Sequence, residues 1–478
     1  MVDEDILDLP PPPADRRIAY GPGAYHFGDS SNPADQALIT ALTARYPQAV
    51  PVEDCRVWND DYADAMRAVY RDYRDDLDVA ALFAEALMNR TPWQLWDLPS
   101  GQPAEGASTL EARAVLERAL EQDAARKHPG ILHMYIHLME MSPEPEVALR
   151  AADWLRELVP DAGHLRHMPT HIDVLCGNYH DVVVSNSAAI VADDKYLARE
   201  GAMNFYTLYR VHDFHFKVYG AMFLGQCETA LRTADEVLGT IPRELLERTE
   251  PNMADWLEGF LGIRLHVLIR FGQWQAILDT PLPEDQELYC VTTALSHYAR
   301  GVALAASGRV AEVEAEQARF EAAAARVPES RMLFNNRCLD ILEIARAMLA
   351  GELEYRRDNY EEAFAQLRHA VALDDGLLYD EPWGWMQPAR HALGALLLEQ
   401  GRVEEAAAVY RADLGLDGSL ARACQHPENI WSLHGYHECL ERLGEHEQAA
   451  LVKQRLQLAA ARADIPIHAS CYCRMAAD

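Results

Sequence analysis

From about residue 130 onward, apolar positions recur every three to four residues, and short Gly, Asn or Asp punctuation separates the stretches that carry them. That period belongs to amphipathic helices. The clearest unit is HALGALLLEQGRVEEAAAVYRADL, where Leu393 and Gly394 mark a first helix, Gly401 a turn, and Ala406 and Tyr410 a second helix. The small residues allow close approach of the two helices, and the large ones fill the space between them. Weaker copies centre on Gly177, Gly225, Gly272, Gly308, Asp358 and Gly444, with spacings along the series of 36 to 50 residues. The expectation is an all-α array of helix pairs over residues 130–462. Ahead of it, residues 1–34 are Pro-rich and extended, and 35–129 read as a helical cap in which DVAALFAEALMNRTPWQLWD is one helix with a Trp-bearing end. Residues 463–478 form a cysteine-containing tail, extended by Ile465-Pro466.

The unit around Gly401 resembles the tetratricopeptide repeat. The resemblance implies a helical solenoid of antiparallel pairs whose first helices line a concave face, with the N-terminal cap closing one end. It says little about activity, because function resides in sites grafted on a fold.

Histidines stand out against this background. His133 and His137 are four residues apart in HPGILHMYIH, and His167 and His171 repeat the spacing in AGHLRHMPTHI, each 34 residues later. The period of the minimal repeat is about 34 residues, so the two pairs occupy equivalent positions of neighbouring repeats. Glu140 continues the stripe of His133 and His137 on one helix face. Pro169 is best tolerated in a first turn, so a helix is expected from near Met168, with His164 and His167 on the preceding loop. His212 and His215 follow on the next long helix. Six imidazoles, from His133, His137, His167, His171, His212 and His215, are thus expected at one cavity on the concave wall. His128 reads as a helix-start residue.

Histidine-dominated donor sets suit copper, zinc, nickel and non-haem iron. The HExxH pattern of zinc hydrolases is absent, and di-iron bundles use Glu-x-x-His where this chain has His137-x-x-Glu140. Copper is placed first, then iron, then zinc, at one or two ions. His164, Glu140, His468, Cys471 and Cys473 are candidate additional ligands, the last three as a soft-metal motif in the tail. Tyr135 and Glu140 are candidate catalytic groups, Tyr135 for redox or proton transfer. Arg264, His297, Arg300, Arg337, Trp383 and His391 are candidate groove residues for a small-molecule or peptide substrate, with DDGLLYDEPWGWMQP as a lid.

Composition narrows the picture further. A net charge of −32 excludes a phosphate-backbone partner, so no nucleic acid is expected. No run reaches the ~18 apolar residues of a membrane span. MVDEDILDLPPPPADRR lacks a basic segment followed by an apolar one, so a cytoplasmic protein is expected, with isolated cysteines reduced.

The chain also resembles a subgroup of bacterial tetratricopeptide-repeat proteins. They carry HPGxxHxYIH, here His128 to His137, and AGHxxHMPxH, here Ala162 to His171, with a short cysteine-containing tail, here Ala469 to Cys473. That likeness implies the architecture and marks the histidines as group features. The expected function is an O2-using metal-dependent oxidoreductase. The alternatives are a protein-interaction adaptor with a partner in the groove, a metal storage or delivery protein, and a zinc hydrolase with Glu140 as base.

Overall fold

The computed structural model describes residues 32–50, 52 and 54–474, so the expected extended segment 1–34 lies almost wholly outside the described residues. The chain is mostly helical. It divides into two compact units, residues 1–172 and 173–478.

In the first unit the helices are α1 (Pro33–Arg45), α2 (Asn59–Asp72), α3 (Leu77–Met88), α4 (Thr109–Leu120), α5 (Pro129–Glu140), α6 (Leu149–Leu155) and α7 (Gly163–His167). The eighth, α8 (Pro169–Cys176), carries the division after Ile172. The unit therefore extends beyond the expected cap boundary at 129. The reason is packing: α5 lies against α3 and α4, and every residue from Ile131 to Glu140 is buried. A helix apolar on most of its faces, with its His133, His137 and Glu140 stripe also enclosed, belongs inside a core.

Local chemistry starts α5. His128 Nδ1 accepts from the Ile131 N–H at 3.2 Å, and Pro129 takes the first helical position, where no N–H is needed. A Cβ on Gly130 would stand 3.2 Å from the Ala81 Cβ, so its bare backbone lets α5 close on α3. The HPG signature is thus a device for starting and seating a helix. The stretch expected as one helix with a Trp-bearing end stops at Met88, because the residue before Pro92 is pushed from helical dihedrals. Trp96 lies instead in a two-residue hairpin, Trp96–Asp97 paired antiparallel with Gln102–Pro103. Its indole N–H donates to the Leu138 carbonyl at 2.7 Å, which ties the hairpin to the end of α5.

The second unit contains α9 (Tyr179–Glu200), α10 (Tyr206–Phe223), α11 (Cys227–Thr240), α12 (Arg243–Leu246), α13 (Met253–Leu257), α14 (Ile263–Arg270), α15 (Trp274–Asp279) and α16 (Cys290–Ala306). After these come α17 (Val310–Ala324), α18 (Cys338–Arg356), α19 (Tyr360–Asp375), α20 (Ala389–Glu399), α21 (Val403–Asp413), α22 (Ile430–Leu443) and α23 (His446–Ala460). A second short hairpin pairs Met332–Leu333 with Asn336–Arg337. Sequential helices pack on one another, α10 with α11, α16 with α17, α18 with α19, α20 with α21 and α22 with α23. All seven punctuation residues, Gly177, Gly225, Gly272, Gly308, Asp358, Gly401 and Gly444, turn the chain with positive φ. Asp358 does so at φ 62° without glycine's freedom, in the αL region that short polar side chains tolerate.

Contacts also run beyond neighbours. The Trp431 indole donates to the Met222 carbonyl at 2.8 Å, 209 residues away. Asp464 accepts the first N–H groups of α11, from Cys227 at 2.7 Å and Glu228 at 2.9 Å. Repeats in an open solenoid touch only their neighbours; the second unit has these long-range ties as well. The segment expected as a lid is part of the core: Tyr379, Trp383, Trp385 and Met386 are buried. Asn335 and Asn336 hold it by bonds of 2.9 Å to the Tyr379 and Leu378 carbonyls.

Candidate metal centre

Five imidazoles and one carboxylate come together in the first unit. His133, His137 and Glu140 project from one face of α5, as the i, i+4, i+7 spacing dictates. His164 and His167 sit on α7, a short helix where the sequence suggested a loop. The turn forms because the Met168 N–H still reaches the His164 carbonyl at 3.0 Å before Pro169 ends the run and opens α8. His171 then falls on the first turn of α8, as expected.

Glu140 organises the group. Its Oε1 lies 2.8 Å from Nδ1 of His137, and its Oε2 is hydrogen-bonded to Nδ1 of His171. Both residues are buried with it. An ionised carboxylate can only accept, so each imidazole presents Nδ1–H to Glu140 and keeps Nε2 as the lone-pair nitrogen. Carboxylate–histidine pairs of this kind orient metal ligands and raise their basicity.

The Nε2 atoms gather in two places. His133 and His164 face each other Nε2 to Nε2 at 3.1 Å, and the His133 and His137 rings are 4.7 Å apart. One donor nitrogen from each of His133, His137 and His164 lies within 4.8 Å of the others. His137 Nε2 has no hydrogen-bond partner among the described residues. On the other side of Glu140, His167 Nε2 stands 2.7 Å from His171 Nε2. Nitrogens about 2.0–2.1 Å from one cation at tetrahedral or octahedral angles lie about 2.9–3.4 Å apart, so the His133–His164 spacing fits two ligands of a single ion.

Electrostatics agree with the geometry. Burial, reinforced by the neighbouring imidazoles, holds His133 and His137 well below the usual histidine value, and His164 is lowered to about 3 by burial and His171. Imidazoles that stay neutral are ready to bind a cation, because no proton must first leave. These histidine clusters could hold a metal ion.

Tyr135 has other surroundings. Tyr135 projects about 200° round α5 from His133. Its hydroxyl donates to Glu117 at 3.3 Å, and burial raises it to about 12. His212 and His215 are buried on α10 in the second unit. The His212 ring packs on Phe216 and Phe334, and that of His215 on Phe260.

Each groove candidate also has a bond of its own. Arg264 pairs with Asp235 at 2.8 Å and borders a groove of about 390 Å³. His297 meets Glu316 at 3.1 Å, and Arg300 donates to the Thr280 carbonyl at 2.7 Å. Arg337 pairs with Asp340 at 2.7 Å, and Trp383 donates to Asp374 at 3.0 Å. His391 lies between Arg270 at 2.8 Å and Asp413 at 3.0 Å. Burial would raise Asp413, but the imidazoles of His391 and His426 outweigh it and hold the carboxyl well below its usual range. In the tail His468 is exposed, and Cys471 and Cys473 are bonded to each other as a disulfide.

No protein-family model matches the chain, and comparison with curated proteins finds no relative.

Proposed function

We propose that the protein is a metal-dependent oxidoreductase on a tetratricopeptide-like helical scaffold, holding one or two transition-metal ions on His133, His137, His164, His167 and His171. The observation that carries this reading is the buried Glu140 carboxylate, which accepts from Nδ1 of both His137 and His171 and leaves their Nε2 atoms for a ligand. A hydrogen bond that fixes tautomers on two sides at once is an outlay that packing alone does not require. The donor set is nitrogen-rich and lacks sulfur, which suits copper or iron and then zinc. Three imidazoles in the His133 group are fewer than the four ligands of closed structural zinc sites, which leaves coordination positions for a substrate. A copper or iron ion there would supply one-electron and O2 chemistry toward a small molecule or peptide. Both Glu140 oxygens are engaged by imidazoles, so the zinc-hydrolase alternative lacks its general base.

Metal analysis by mass spectrometry after reconstitution tests the reading. One or two equivalents of copper or iron are expected, with His133→Ala and His171→Ala each losing at least one donor and binding more weakly. Glu140→Gln presents one acceptor and one donor to two Nδ1–H groups, so affinity should fall about 10- to 100-fold. A protein that stays metal-free, or variants that bind like the parent, would overturn the metal site. Exclusive loading with zinc would overturn the oxidoreductase.

A further inference from the structure

The C-terminal tail returns into the second unit and is fixed there at several points. Ser470 Oγ donates to the His391 carbonyl at 3.0 Å and meets the Tyr410 hydroxyl at 2.5 Å. Arg270 donates to the Ser470 carbonyl, Arg356 to the Cys473 carbonyl, and Arg474 pairs with Glu438 at 2.7 Å. The tail thus delivers the Cys471–Cys473 disulfide to the wall of an internal cavity of about 20 Å³, room for one water molecule. Glu352, Trp385, His391 and Arg270 share that wall.

Two polar groups at this cavity are unaccounted for. Glu352 is 1% exposed, and neither of its carboxylate oxygens has a hydrogen-bond partner among the described residues. Arg356 forms an ion pair with it at 3.6 Å, too long for a hydrogen bond. The Trp385 indole N–H is likewise buried without a partner. A buried carboxylate without a hydrogen bond is costly, and here it lines the same cavity as a disulfide. The sulfurs also differ in access: Cys473 is buried and Cys471 partly exposed. The Cys473 N–H donates to Cys471 Sγ at 3.2 Å, a bond that favours a thiolate there, and the guanidinium groups of Arg270 and Arg356 hold the Ser470 and Cys473 carbonyls on either side of Cys471.

We propose that Cys471–Cys473 is a reactive thiol–disulfide site that exchanges electrons with a low-molecular-weight thiol, with Glu352 as its proton donor and acceptor. An external thiolate attacks Cys471 Sγ, the accessible sulfur. A new sulfur–sulfur bond forms, the Cys471–Cys473 bond breaks, and Cys473 leaves as a thiolate that takes the Glu352 proton across the cavity. A second external thiolate attacks the external sulfur of the mixed disulfide and releases Cys471. Two thiols are oxidised to one external disulfide, the protein pair gains two electrons, and the protons of the two thiols end on the cysteines. In the reverse direction the Cys471 and Cys473 thiols reduce an external disulfide to two thiols and re-form their own bond, with Glu352 accepting the Cys473 proton.

The proton balance fits neutral pH. Burial raises the Glu352 carboxyl to about 7, against the pull of Arg356 and with the push of Glu399. The charged and titratable groups around it are Arg356 on its own helix, Arg270 on α14, Tyr298 on α16, and His391 and Glu399 on α20. A donor with that value is poised to work in both directions near pH 7.

The full-length native protein, equilibrated with defined glutathione to glutathione disulfide ratios, then alkylated and weighed intact, tests the proposal. Two additional labels, mapped to Cys471 and Cys473, are expected as the buffer becomes reducing. Cys473→Ser should form a stable glutathione adduct at Cys471, whereas Cys471→Ser should react at position 473 at least about tenfold more slowly. Glu352→Gln should slow reduction at pH 7 at least about tenfold and abolish an inflection of the rate near pH 7. If Glu352→Gln does not fold, the pair of single-cysteine variants still decides the matter. A disulfide that resists glutathione until the chain unfolds, equal trapping by both single-cysteine variants, or an unchanged pH profile in a folded Glu352→Gln would overturn the proposal.

Discussion

A histidine buried without a charged partner resists protonation, and His266 is the plainest instance in the second unit. Its ring packs edge-on against Trp385 at 4.9 Å, its Nδ1 has no hydrogen-bond partner among the described residues, and burial lowers it to about 4. The unfolded chain takes up a proton near pH 6.5 that the folded chain refuses until about pH 4. The stability His266 contributes is therefore complete above pH 6.5 and is lost as pH falls from there toward 4. His266→Gln removes that proton difference, so its stability should fall less steeply over this window, by about 1.4 kcal/mol per pH unit. Urea denaturation at intervals between pH 7 and pH 4 reads the slopes, and parallel curves for the two proteins would refute the assignment. Spacing alone places side chains on one helix face, as for His133, His137 and Glu140. His164 is less legible, because the turn that presents it depends on Pro169 stopping one helix and starting the next. Glu352 is a single glutamate in a helix whose sequence signals nothing of its burial.

At the scale of an element, the turn positions and close approaches were legible in the chain. Gly394 and Gly401 look alike in sequence but do different work. A Cβ on Gly394 would stand 2.5 Å from the buried Tyr410 ring, whereas one on Gly401, at φ 72°, would meet nothing within 4 Å. Gly394→Ala must displace an enclosed aromatic side chain at about 1–3 kcal/mol, and Gly401→Ala faces only left-handed backbone strain of about 1–2 kcal/mol. Chemical denaturation should show the two losses, and they should differ in origin: replacing Tyr410 by Leu should relieve part of the first and none of the second. Equal relief of both would contradict the packing account. Helix ends near proline were less legible, since Trp96 left its expected helix for a hairpin whose register no periodicity reveals.

For the whole molecule, the tail links parts of the second unit far apart in sequence. Removing residues 465–478 would leave the buried Arg270 and Arg356 without their carbonyl acceptors and strip Ser470 from His391 and Tyr410. Each orphaned buried donor costs about 1–3 kcal/mol, so a shortened chain should melt at a lower temperature in calorimetry; an unchanged melting profile would show that the tail is only an appendage. What the sequence determined by itself was local and periodic: a mostly helical chain, helix pairs punctuated at seven positions, and two histidine pairs of equal spacing with a glutamate beside the first. These follow from dihedral preferences and side-chain periodicity, which act over a few residues. Only the tertiary structure decided that α5 is buried in the first unit, that Glu140 joins His137 to His171, that the segment around Trp385 is core, and that the tail brings a disulfide to a buried carboxylate. Those depend on which distant surfaces exclude water together, and that is a property of the folded chain as a whole.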